Sequence, residues 1–415
     1  MNKITLLVVL FLTITYSFSQ VNIEKLPPDN IKTIIIKNPQ EEDQIPIIKL
    51  GNLIELHFDD INGDEADYYY KIEHYNFDWT KSILMKSEYL QGIDDQHIQQ
   101  YENSFNTLQM YSHYVLKIPN RDVRLIKTGN YLLKIYDDEE NLVFSKRFIL
   151  YEDKTFIAPQ IKRSRDLDFI NETQIVQFSI KSPNEVLINP KQTVKTLVIQ
   201  NNDLDNSIND LIPQYTIGGE LIYRYDAEAR FWASNEFFYF DNKEIRASNQ
   251  GVNFVELGEL YNHYLFVNPS RTNQPYTYNP DINGDFVVNN LDADDNNTEA
   301  DYVKIHFKLE NYEDLTGKKV HVYGGFNGYR IDESTEMLYN KSSGYYENTQ
   351  LIKQGFTNYK YIVVDENNEI DYSLVDGNFY ETENDYHILV YYRPLGARYD
   401  QVIGYVKGTS VNISN

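Results

Sequence analysis

The chain has 415 residues, 62 acidic against 38 basic side chains, a net charge of −24 and no cysteine. The charge excludes a general nucleic-acid binder and docking on anionic lipid, since both need clustered Lys and Arg. The missing cysteine excludes a disulfide scaffold, a thiolate metal site, a cysteine nucleophile and a lipid-anchored processing site. With 36 Tyr and 21 Phe but 2 Trp, the composition points to a folded, β-rich chain. Length alone predicts about three domains at roughly 150 residues each.

Residues 1–19 read as a signal peptide: Lys3 precedes the apolar run 4–14, and Ser17 and Ser19 supply small side chains before the expected cleavage point. The run is shorter than the ~20 residues of a spanning helix. An N-terminal β-sandwich is expected over 20–152. In 53–59, Ile54, Leu56 and Phe58 fall on one face and Glu55, His57 and Asp59 on the other. Segment 114–118 alternates and stops at Pro119. After a turn at Gly129-Asn130, Tyr131, Leu133 and Ile135 share a face. Adding 31–37, 68–74 and 143–150 gives six or seven short strands, the count and spacing of an immunoglobulin-like sandwich. The polar segment 87–107 carries Gly92 and is expected to hold one or two short helices.

A middle β-rich domain is expected over 153–290, with strands near 176–180, 194–200, 221–225, 237–240, 254–257 and 264–267. A C-terminal domain, 291–415, follows the acidic stretch 292–297. There Val303, Ile305, Phe307 and Leu309 alternate against Tyr302, Lys304, His306 and Lys308. Strands at 320–323, 345–352, 359–364, 386–392 and 401–406 complete it, with a hairpin tip at 365–368. The expected fold class is mainly β, a tandem of immunoglobulin-like or early-set β-sandwiches.

The sequence offers no catalytic constellation. The eight His show neither HxH nor HExxH spacing, and no GxSxG, P-loop or GxGxxG is present. Most His are expected to face solvent or to bond locally. Two stretches, 59–64 and 281–285, begin like calcium loops. From Asp281, however, the sixth and twelfth positions are Phe286 and Asp292 where an EF-hand has Gly and Glu. Asn62-Gly63 and Asn283-Gly284 read more simply as turns. No catalytic residue, metal ligand, cofactor or small-molecule substrate is therefore assigned.

Adjacent tyrosines at 68–70, 345–346 and 391–392 should point to opposite faces of their strands. Gly324-Gly325-Phe326-Asn327-Gly328-Tyr329, answered by Gly355-Phe356-Thr357-Asn358-Tyr359-Lys360-Tyr361, resembles early-set immunoglobulin domains that include glycogen-binding modules. The contact candidates for a partner are Phe326, Asn327, Tyr329, Tyr391, Tyr392 and Arg393, with a core or turn role the alternative for each.

The order of motifs says more. His74-Tyr75-Asn76-Phe77-Asp78-Trp79, Ser104-Phe105-Asn106-Thr107 and Thr128-Gly129-Asn130-Tyr131 come first. Ser234-Asn235-Glu236-Phe237 follows, then Val322-Tyr323-Gly324-Gly325-Phe326-Asn327. Glu381-Thr382-Glu383-Asn384-Asp385-Tyr386 and Tyr399-Asp400-Gln401-Val402 close the succession. This order resembles the plug protein family of the type IX secretion system of Bacteroidetes. The resemblance implies a non-enzymatic periplasmic protein, peripherally associated with the outer membrane, that binds and closes the periplasmic end of the outer-membrane β-barrel translocon. It implies neither a cofactor nor direct membrane insertion. The competing reading is an exported array of carbohydrate-binding modules. The absence of Trp from the third segment weighs against that reading.

Overall fold

The computed structural model describes residues 23–411 and 413, apart from Glu42 and Asp210, so the expected signal peptide lies outside the described residues. Alternation on Ile54–Asp60 sets up the first core. This strand pairs antiparallel with Ile31–Lys37 on one side and Ser112–Ile118 on the other, and Gln100–Asn103 closes the sheet. The facing sheet runs Ile47–Lys49, Leu142–Tyr151, Gly129–Tyr136, Tyr69–Tyr75, Gln96–His97. Ile54, Leu56 and Phe58 are buried between the two sheets, as the alternation predicts. Phe58 stacks on Tyr114 at 4.9 Å and meets Phe144 edge-on at 5.2 Å. Such pairs add about 0.5–1.5 kcal/mol each beyond the area they bury. In the segment expected to carry short helices, only Lys86–Tyr89 is helical; Leu90–Gly92, Gln96–His97 and Gln100–Asn103 are short strands.

The second sandwich departs from the expected boundaries. One of its sheets is local, with Phe156–Arg163, Thr173–Lys181, Glu220–Tyr223 and Tyr215–Ile217 in order and Arg230–Trp232 paired to Thr173–Lys181. Its other sheet runs Ser207–Asn209, Val194–Gln200, Asp385–Tyr392, Gln401–Thr409. The last two strands, which the sequence reading places in a 291–415 domain, thus complete the core begun at residue 156. Val194 and Val198 pack there with Tyr386, Ile388, Val390 and Ile403. A cut at 290 therefore does not follow the sheets. Local alternation cannot reveal this, because the pairing partners lie almost two hundred residues apart in the chain.

Between the two halves of that sandwich the chain builds a third body. Phe238–Asp241, Val252–Leu257, Tyr261–Leu265 and Phe286–Val288, expected in the middle domain, all pair into it. Its sheet folds over on itself at Glu336–Asn340. Met337 pairs with Val320 on one side of the fold, while Leu338, Tyr339 and Asn340 pair with Glu347, Tyr346 and Tyr345 on the other. Phe307, Val322, Tyr359 and Tyr361 fill the enclosed core. The expected hairpin tip at 365–368 is present, flanked by the pairs Val364↔Ile370 and Val363↔Asp371.

The first and second sandwiches also share a core. Ile47, Phe77 and Ile149 from the first pack against Ile199, Leu389, Tyr391 and Val402 from the second. Leu389 is fully buried there. Leu389→Ala is expected to destabilise the full chain by about 2–5 kcal/mol, read as a lower urea midpoint by near-ultraviolet circular dichroism.

Candidate functional site

The second face of Ile54–Asp60 carries Glu55, His57 and Asp59. Register with Ser112–Ile118 sets His113 opposite Asp59 and Lys117 opposite Glu55. On an isolated sandwich this polar face would meet water. The third body covers it, and Asp59 is fully buried. The Asp59 carboxylate accepts hydrogen bonds from His113 Nδ1 at 2.6 Å, Lys353 Nζ at 2.7 Å and Tyr302 Oη at 2.6 Å. Tyr302 and Lys353 are cross-strand partners, so one edge of the third sheet delivers both donors to one anion. Lys353 Nζ donates also to the Asn297 carbonyl at 2.7 Å and stands 4.1 Å from the centre of the Tyr111 ring.

The electrostatics follow from this packing. Burial opposes charge on Asp59, but Lys353 and His113 outweigh it and hold the carboxyl below its usual range. Burial pulls the Lys353 ammonium down despite the attraction of Asp59. Burial, then the Asp59 charge, push the Tyr302 hydroxyl far up, which keeps it a neutral donor.

The ion pair continues as a row of imidazoles. His57 Nδ1 lies 3.2 Å from His113 Nε2, and His57 Nε2 lies 3.1 Å from Glu55 Oε2. Three gaps ending in carboxylates need three ring protons, one more than two neutral imidazoles carry. Burial lowers the His57 pKa, so it resists that third proton. Both rings are engaged by acidic or imidazole partners, and neither activates a hydroxyl.

A cavity of about 560 Å³ opens beside this row, lined among others by Lys37, Gln44, His57, Asn283 and Asp285. Its lining mixes both signs of charge. Burial pushes the Asp285 carboxyl up to about 7, although Gln44 N donates to its Oδ2 at 3.3 Å. Asp285 ends the stretch that begins like a calcium loop. In the structure Asn283 and Gly284 turn there with φ of 53° and 90°, and Asn358 Oδ1 accepts from Ile282 N at 2.7 Å. Among the described residues no three His, Asp or Glu are placed to hold a metal ion.

The chain enters and leaves the third body side by side, and this double crossing is clamped by polar side chains. Asn235 Nδ2 donates to the Asp376 carbonyl at 2.9 Å, and Ser234 N donates to Asn378 Oδ1 at 2.7 Å. Arg271 Nε pairs with Asp376 Oδ1 at 2.6 Å, and its Nη2 donates to the Glu236 carbonyl at 2.7 Å. Asn384 Nδ2 reaches back to the Ala233 carbonyl at 2.9 Å. The motifs around Ser234 and Glu381 are thus the two sides of one joint.

The six contact candidates do not come together. Phe326 stacks on Phe307 at 6.3 Å, Asn327 Nδ2 donates to the Val322 carbonyl at 2.9 Å, and Tyr329 packs on Tyr323 at 5.1 Å. Tyr391 and Tyr392 are both buried, which corrects the expectation of a surface ring. Their strand has a core on each side: Tyr391 Oη donates to Asn130 Oδ1 at 2.7 Å between the first two sandwiches, and Tyr392 sits inside the second. Arg393 forms a fork on Asp400 at 2.9 and 2.7 Å, and Asp400 in turn accepts from Phe77 N at 3.0 Å. Most His are also inside: His74, His113, His263, His321 and His387 are buried and bonded locally. Sequence reasoning passed over the row from Glu55 to Lys353, because its only local signal is charge on alternate positions.

The boundaries of the first sandwich coincide with a known family model. Residues 31–152 match the type 9 secretion system plug protein, first domain. The chain belongs to this family. A crystal structure of a hypothetical protein from Parabacteroides merdae is similar over nearly all of both molecules, with 32% identity, a TM-score of 0.89, and coverage of 93% of this chain and 98% of that one. A biofilm-associated protein BSP domain is matched at 8% identity and a TM-score of 0.17, over 92% of this chain and 59% of that one, and supports no likeness of fold. No curated protein matches the chain. The family match covers the first sandwich, and the whole-length likeness shows that the Parabacteroides protein shares the fold of all three bodies.

Two expectations follow for stability. Asp59→Ala strands the Lys353 ammonium and should lower stability by about 3–5 kcal/mol; Asp59→Ala with Lys353→Met should lose less, measured by urea titration. The folded Asp285 pKa of about 7 lies above the unfolded value of about 4, so this group makes stability fall as pH rises between the two. Asp285→Asn should therefore raise the urea midpoint at pH 8 and leave it nearly unchanged at pH 4.

Proposed function

We propose that the protein is a stopper that binds and closes the periplasmic end of the outer-membrane β-barrel translocon of type 9 secretion. The family match over residues 31–152 carries this reading. A stopper works by occupying space and making no bond. It needs a body that keeps its shape under load and a broad surface in place of a pocket. The way the three bodies are joined supports such a role. The third body is inserted into the second, the second shares a core with the first, and the first is tied back to the third through Asp59 and Lys353. A stable contact of this kind buries roughly 1,200–2,000 Å².

The charge of −24 favours a partner with a basic rim. Such complementarity acts chiefly on the rate of encounter. No helix among the described residues is long and apolar enough to cross a membrane. The carbohydrate-binding alternative would use Phe326 and Tyr329 as a platform, and both rings pack against neighbouring aromatics of the third body.

The full-length tagged protein, mixed with detergent-solubilised outer membranes, should recover a very large β-barrel identified by mass. Cells that keep the barrel but lack this protein should admit small hydrophilic solutes faster. Stopped-flow association with the purified barrel should slow as salt rises. Turnover of any substrate by the purified protein, or unchanged permeability after its deletion, would overturn the reading.

A further inference from the structure

The loop 104–110 joins Gln100–Asn103 to Ser112–Ile118 at the seam between the first sandwich and the third body. Phe105, Leu108 and Met110 leave 70%, 50% and 68% of their surface in water. Three large apolar side chains within six residues of an irregular segment have no role in either core. Contiguous exposed apolar surface is a feature of interaction sites, and these three side chains lie close together in the chain.

The loop is nevertheless held firmly. Leu108 N and Gln109 N donate to the two oxygens of the Asp301 carboxylate, at 2.7 and 3.1 Å. Phe105 N donates to the Thr298 carbonyl at 2.9 Å, and Gln109 Nε2 donates to the Ile61 carbonyl at 3.0 Å. Tyr111 Oη donates to the Ala300 carbonyl at 2.8 Å. These bonds come from the third body and from the turn after Ile54–Asp60, so the backbone is fixed by structure already formed. The apolar side chains are therefore presented with little ordering left to do on binding, which favours affinity.

The surroundings specify the occupant. Residues 60–66, 99–111 and 289–301 converge here and hold nine carboxylates with no Lys, Arg or His. Asp64, Glu65, Glu102, Asp292 and Asp294 are among the exposed ones. A second copy of this chain would bring the same sign of charge, and so would an anionic membrane surface.

We propose that the loop 104–110 is a preformed apolar knob that inserts into a pocket of a protein partner whose rim carries Lys and Arg. The identification of that partner with the translocon barrel rests on the stopper reading above. The knob then works as a hot spot: the Phe105 ring and the aliphatic chains supply affinity, and the exposed carboxylates of the neighbouring segments supply orientation and encounter rate.

The test compares three full-length tagged proteins on detergent-solubilised outer membranes. They are the native chain, the variant Phe105→Ser/Leu108→Ser/Met110→Ser, and a control, Leu167→Ser/Val186→Ser, that removes two still more exposed apolar side chains from the second sandwich. All three should share one urea midpoint, since no removed group is buried. The native chain and the control should recover the barrel alike, and the triple variant about tenfold less or worse. Equal recovery by native chain and triple variant overturns the knob and leaves the stopper reading standing. Failure of the native chain to recover a barrel overturns both. Binding of the native chain to phosphatidylglycerol vesicles, or a dimer in sedimentation, that the triple variant loses would reassign the loop and overturn the proposal as well.

Discussion

The strand Asp385–Tyr392 is the constraint on which the architecture turns. Both of its faces are buried, so its alternation serves two cores. Tyr386, Ile388, Val390 and Tyr392 fill the second sandwich, while Leu389 and Tyr391 close the joint with the first. Buried strands usually read as continuous apolar runs, and this one does from Ile388 to Tyr392. From Tyr386 to Tyr392 it pairs with Val194–Gln200, so the second sandwich is completed by a segment that follows the third body in the chain. The end of the chain thus fastens two sandwiches, and through the insertion it holds the third body as well.

The second tie is electrostatic. Asp59, Lys353 and Tyr302 meet across the seam between the first sandwich and the third body with every charge answered by a donor or acceptor. A buried ion pair adds little net stability compared with a well-packed apolar contact, but losing one partner is severe. Its use here is geometric. A single anion accepts from groups on both bodies and so fixes their relative position. The imidazoles of His57 and His113 extend that fixed point toward the cavity edge. Apolar joint, polar joint and clamped crossing together join three bodies into one object, a property the proposed stopper would need.

The functional surfaces were poorly legible in the sequence, for physical reasons. The tyrosine pair at 391–392 reads as one inward and one outward ring, which is correct for a sheet with one wet face. Its strand has no wet face. Phe326 and Tyr329 look like exposed loop aromatics, but the loop folds back onto the sheet that precedes it. Conversely, Glu55, His57 and Asp59 look like a solvated face, yet Glu55 and Asp59 are buried and His57 is half-buried at the cavity edge. The error is the same in each case: alternation tells which residues share a face, not what lies on top of it.

From sequence alone came the β class, the alternating strands of the first sandwich between 31 and 152, and the turns at Asn62-Gly63, Asn283-Gly284 and 365–368. These depend on side-chain period and on backbone conformations that Gly and Asn tolerate, both of which are local. Only the tertiary structure decided that the last two strands return to the second sandwich, that the third body is an insertion, and that a polar sheet face is buried on Lys353. Those outcomes depend on which distant surfaces match in shape and charge. A carboxylate written at position 59 acquires its meaning only when an ammonium from position 353 is folded against it.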